Sequence, residues 1–101
     1  MSNELAGRTA PWDAADFLDS PEAIAAYLDA AVEEARDDPS FLLTALDTVA
    51  RAGNFSELAR DIGISRKGLY KALGEDGNPS FATIWALLNQ LGVRMEFHAV
   101  A

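Results

Sequence analysis

Apolar residues recur at helical spacing in five successive stretches between residues 21 and 91, and each stretch is framed by helix start and stop residues. Ser20-Pro21 predicts the first start, a capping residue followed by proline at the first helical position. Ile24, Tyr27, Leu28, Ala31, Val32 and Ala35 then form one stripe, with Asp29, Glu33 and Asp37 on the other side. Asp38-Pro39 repeats the start signal. The second helix runs to about Ala52, with Phe41, Leu42, Leu46, Val49 and Ala50 turned inward. Gly53 ends it, and Asn54 caps a third helix in which Glu57 completes a capping box.

The most informative stretch is FSELARDIGISRKGLYKALG, residues 55–74. Leu58, Ile62, Leu69 and Leu73 are apolar at helical spacing, and Ala59 is small enough for a close helix crossing. Gly63 stands where a tight turn needs positive φ, and Ser65 caps the next helix. A breaker-rich loop, GEDGNPS, follows. Ser80 caps the last helix, where Ile84, Leu87, Leu88 and Leu91 repeat, Trp85 lies beside the stripe and Gly92 ends it. After it the period changes. Val93, Met95 and Phe97 alternate with Arg94, Glu96 and His98, which is a strand pattern. A lone strand needs a partner edge, and pairing with a second copy across a two-fold axis is the simplest solution. Trp85, Met95 and Phe97 are therefore expected at a homodimer interface.

At the other end, residues 1–12 have no periodicity and are expected to be a flexible tail. Trp12, Phe17 and Leu18 lie in a short turn of helix or an extended anchor, and pack on the domain's own core or on a partner. The expected organisation is one all-α domain of five to six helices over residues 13–92, with the motif at 55–74 and a strand or tail at 93–101.

Composition narrows the class. A chain of 101 residues, half of them hydrophobic, forms one globular domain with a modest core. It has no cysteine, which excludes disulfides and thiolate chemistry and suits the cytoplasm. No apolar run approaches the roughly 20 residues of a membrane helix, and the first residues lack a signal-peptide pattern.

The net charge of −8 is unevenly spread. Residues 1–50 carry eleven carboxylates against Arg8 and Arg36, a balance of −9. Residues 51–74 carry Arg51, Arg60, Arg66, Lys67 and Lys71 against Glu57 and Asp61, a balance of +3. A basic stripe on an acidic body suits phosphate contact at one place and a basic protein partner at another.

Catalysis finds no support in the sequence. His98 is the one histidine, with no cysteine or second histidine to share a metal, and the carboxylates fall on solvent faces. Nucleophile-elbow and phosphate-loop motifs are absent. The expectation is a binding protein with no active site, metal or cofactor.

Nucleic acid fits better. Two short helices with a basic second helix form the layout of a helix-turn-helix, whose second helix enters a DNA major groove. Ser65, Arg66 and Lys67 occupy the start of that helix, where side chains reach base edges, and Tyr70 and Lys71 lie one turn on. Arginine can bind guanine O6 and N7 together. Ser80 and Thr83 open the last helix, where hydroxyls and free N–H groups suit a phosphate.

Taken together, the motifs resemble the HigA-like antidote (antitoxin) proteins of bacterial addiction modules. The matching residues are Asp16-Phe17-Leu18, Ala26 to Ala31, Ala59-Arg60, Gly63 to Arg66, Gly68 to Leu73, and Gly77 to Phe81. The likeness spans about residues 13–95, and its LYKAL…GNPSF block is its most specific part. The resemblance implies a lambda-repressor-type helix-turn-helix fold. It also implies two activities: binding and silencing a small basic toxin of the RelE/ParE superfamily, and repressing its own operon as a DNA-binding dimer with toxin as co-repressor. One position departs from many phage-type repressors, which open the first motif helix with a phosphate-bracing glutamine. Phe55 stands there, leaving Ser56 or Asn54 as the substitute.

The acidic N-terminal half fits a basic toxin on charge alone. Trp12 and Phe17 are the expected aromatic anchors, and Asp29, Glu33 and Asp37 the expected charges. Two other readings compete. One is a stand-alone helix-turn-helix repressor of phage type, with no toxin. The other is a helical adaptor that no longer binds DNA.

Overall fold

A computed structural model of the chain describes residues 18–100, and these fold into five helices. They are α1 (Pro21–Ala35), α2 (Ser40–Ala52), α3 (Phe55–Asp61), α4 (Arg66–Leu73) and α5 (Phe81–Leu91). The described chain is all-α. The proposed tail at 1–12 and the expected anchors Trp12 and Phe17 lie outside the described residues.

Local chemistry accounts for the helix boundaries. The Ser20, Asn54, Ser65 and Ser80 side chains accept the N–H of Ala23, Glu57, Gly68 and Thr83 respectively, satisfying orphan donors at four helix starts. The capping box is one-sided, because the Glu57 carboxylate turns to Arg60 at 3.5 Å. Between α1 and α2, Arg36 leaves helical backbone at φ 47° and ψ −106° and ends α1, and Pro39 keeps Asp38 from resuming it. Asp37 therefore lies in the turn, not on the α1 face where its spacing placed it. The Ser40 hydroxyl and backbone N–H donate to Asp38 Oδ1 at 2.7 and 3.0 Å. They hold the Asp38 carboxyl below its usual range. That contribution is present above the ordinary aspartate pKa and is lost as pH falls through the lowered value.

The α3–α4 turn is closed by its own backbone. Gly63 adopts φ 84°, a left-handed conformation that costs glycine little. Its N–H donates to Arg60 O and the Ile64 N–H donates to Ala59 O, both at 3.0 Å. This is the Schellman pairing of a helix end, and it aims the chain directly into α4. Gly77 serves a different need. A Cβ there would collide with the Ala72 carbonyl at the end of α4, so the loop to α5 passes where only glycine fits.

The helices share one core. Leu46, Leu69 and Leu87, from α2, α4 and α5, are its largest fully buried side chains. Leu18, Leu28, Ala45, Val49, Ala50, Phe55, Leu58, Ala59 and Leu73 complete the buried set. Ala59 of α3 is among the most buried of them. Burying this surface supplies the main driving force, at roughly 25 cal/mol per Å² of apolar area.

Three expectations change. Phe41 was expected inward but is 47% exposed. It lies in the first turn of α2 and lines an open groove with Tyr27, Ala30, Ala31, Glu34, Thr44 and Ala45. Val32, expected on the apolar stripe of α1, is also exposed. Finally, residues 93–100 form no strand, and the described residues contain none. The alternating pattern needs a second edge, and a single chain does not supply one.

Candidate nucleic-acid and partner surfaces

The α3–α4 unit carries the basic residues. Arg66 and Lys67 stand in the first turn of α4 and Lys71 one turn on, all exposed. No carboxylate among the described residues pairs with any of the three. Arg60 differs, since Glu57 and Asp61 lie 3.5 and 4.0 Å from it. The two acids face the α5 side of α3. They line a groove with Gln90 and Leu91, and Gln90 Nε2 donates to Asp61 Oδ2 at 3.4 Å. The negative charge of α3 is thus turned away from α4.

Tyr70 is less free than its spacing implied. Its ring meets Phe55 edge to face, with centroids 5.8 Å apart and planes at 82°. The Arg51 guanidinium lies 4.4 Å from the Tyr70 ring centroid and 5.3 Å from that of Phe55. The Arg66 guanidinium lies 5.9 Å from the Phe55 centroid. Sequence reasoning counted Arg51 as a charge but gave it no role. Its spacing of four from both Asp47 and Phe55 was readable, whereas its contact with Tyr70 is tertiary. Arg51 Nε donates to Asp47 Oδ2 at 2.8 Å. The Asp47 carboxylate, and after it the Tyr70 phenol, raise the guanidinium pKa above its ordinary value.

The serines divide by place. Ser65 is exposed at the α4 cap, with its oxygen accepting from Gly68 N at 2.8 Å. Ser56 is exposed on α3. Ser80 and Thr83 form a separate pair at the start of α5. The Ser80 hydroxyl donates to Thr83 Oγ1 at 3.0 Å, which uses its proton within the pair.

Two further surfaces are distinct. Asp29 and Glu33 are exposed on α1 and Asp37 in the turn after it. Glu34 of the same helix lines the groove that also includes Ala31 and Ala45, about 400 Å³ in volume. On α5, Phe81 and Trp85 are 64% and 51% exposed, with rings 5.9 Å apart. Phe97 in the tail is 90% exposed and Met95 is half-buried. Among the described residues no helix is long and apolar enough to cross a membrane.

Comparison with known proteins agrees with the resemblance at the level of the module. A family model described as probable addiction module antidote protein matches residues 8–99. A protein of Haemophilus influenzae (strain ATCC 51907 / DSM 11121 / KW20 / Rd), described as uncharacterized, is 45% identical over 85 residues. That alignment covers 84% of this chain and 86% of the relative. No solved structure matches the chain. The family match takes in all five helices and nearly the whole sequence, so the chain belongs to the addiction module antidote proteins.

Proposed function

We propose that this antidote neutralises a small basic toxin of the RelE/ParE superfamily by direct binding, and represses its own operon as a DNA-binding homodimer in the cytoplasm. The observation that carries this reading is the separation of charge. Three cations on α4 are without carboxylate partners among the described residues, while exposed acids cover α1 and the turn after it. The first surface suits phosphates and base edges. The second suits a basic protein, and its distance in sequence from α4 is consistent with toxin acting as co-repressor. The protein binds as an interaction module and needs no catalytic group.

The test is co-expression with the neighbouring gene. Growth rescue and co-purification with a basic product support the antidote activity as drawn. Operator binding without rescue by any neighbour would leave a stand-alone repressor.

Within this reading Arg66 reads a base and Lys71 holds a phosphate, with Ser56, Ser65, Lys67, Ser80 and Thr83 as further backbone contacts. Arg66→Ala is expected to cost about 1–3 kcal/mol and to relax specificity at one base pair. Lys71→Ala is expected to weaken all sequences evenly and to lower the log–log salt slope by about 1 per subunit. Titrations of the upstream duplex at several salt concentrations check both, and unchanged affinity in both variants would remove α4 from the DNA.

The proposed dimer forms through α5 and the tail, covering Phe81, Trp85, Met95 and Phe97. Residues 93–99 pair with their copy as strands. Dimers of this motif set their second helices about 34 Å apart, one turn of DNA. Deleting residues 93–101 is expected to give monomers by light scattering. A stable dimer after deletion would place the interface elsewhere.

A further inference from the structure

Arg51 stands in the last turn of α2, outside the two motif helices, yet its guanidinium is the most heavily engaged cation of the described chain. It is stacked on Tyr70 from α4 and on Phe55 from α3. Asp47 holds it from one turn back through Nε alone. The Tyr70 phenol acts on the guanidinium as a second hydrogen-bonding partner, and the side chain remains 44% exposed. The other carboxylate oxygen, Asp47 Oδ1, is buried without a hydrogen-bond partner, and among the described residues this arginine is the one cation paired with Asp47. Arg66 reaches the same Phe55 ring from α4. Two guanidinia from different helices thus converge on one aromatic pair.

Such an arrangement has a physical consequence. An arginine normally loses side-chain freedom when it grips a ligand. Here stacking and the Asp47 bond have already fixed the group, and its planar fork presents donors in a set direction. The aromatic faces attract the cation without using its N–H groups. A positioned, partly exposed guanidinium beside a basic helix is suited to a phosphate oxygen.

We propose that Arg51 is a backbone-phosphate clamp for DNA, supplied by α2 and seated on the Phe55–Tyr70 platform. It takes the bracing role expected at the start of α3, where Phe55 is instead buried as the floor of the clamp. Tyr70 is a positioning residue that holds Arg51 over α4, and Arg66 is steadied on the same floor. The clamp rests on the reading that α4 binds DNA.

The test uses the full chain with two probes of equal length, the duplex upstream of its own gene and a scrambled duplex. Arg51→Met keeps the stem packed on the rings and removes the charge, so it is preferred to Arg51→Ala. It is expected to weaken both duplexes by a similar factor, roughly tenfold, and to lower the salt slope by about 0.9 per subunit, about 1.8 for the dimer, since phosphate contacts carry no sequence information. Arg51→Lys, which keeps the charge and loses the fork, is expected to restore the slope but only part of the affinity. A thermal melt of each variant separates folding from binding. An unchanged slope in a folded Arg51→Met, or a loss confined to the upstream duplex, would overturn the clamp while leaving α4 as the reader. Binding of neither duplex by the unmutated protein would overturn both.

Discussion

Leu69→Ala is expected to remove about 2–5 kcal/mol of folding stability. Leu69 has no exposed surface and projects from α4 into the core shared by Leu46 of α2 and Leu87 of α5. Truncation leaves a cavity under the helix that carries Arg66, Lys67 and Lys71. A domain of this size holds only about 5–15 kcal/mol in total, so the loss is a large fraction. DNA affinity should then decline as the helix loosens, although no cation has been touched. Lys67→Ala is the matched surface control and is expected to stay within about 0.5 kcal/mol. Urea unfolding at one fixed protein concentration measures both, through a lower midpoint at constant slope. An unshifted midpoint for Leu69→Ala would mean that α4 does not rest on this core.

Reversing Asp29, Glu33 and Asp37 to lysine is expected to slow toxin association by about 10- to 1,000-fold at low salt. All three are exposed, so the fold should survive, and a far-ultraviolet spectrum can verify that. The effect follows from long-range attraction between an acidic surface and a basic partner. It should shrink steeply with added salt, because the screening length falls from about 10 Å at 0.1 M to about 3 Å at 1 M. Dissociation should change far less, since rim charges act mainly on encounter. Stopped-flow mixing with the purified neighbouring gene product separates the two rates. Association that is equally fast for both proteins at every salt concentration would move the toxin surface away from α1.

Much of the helical frame was legible because its punctuation is local. Ser20, Asn54, Ser65 and Ser80 cap within three residues, and Gly63 closes its turn within five. Such signals survive in a bare sequence. Phe41 was misplaced because periodicity gives a direction on the helix but not how far the neighbouring helix extends. The alternation at 93–98 was real, but an alternating pattern does not contain its own partner, and none lies among the described residues. The basic face of α4 was visible as charge. Its freedom from carboxylates was not, since that depends on Glu57 and Asp61 turning toward Gln90 and Leu91 of α5. Arg51 was hidden for a similar reason, because Tyr70 reaches it only after α4 has folded back on α2.

The helices pack chiefly with near neighbours along the chain: α1 with α2, α2 with α3 and α4, α3 with α4 and α5. Few loops must close over long stretches before these contacts form. Helical domains rich in such local contacts fold in about microseconds to milliseconds. Synthesis, at about 5–20 residues per second, is far slower. The five helices of this antidote are therefore expected to form almost as soon as each chain is made, so that translation rather than folding sets the delay in replacing a depleted pool.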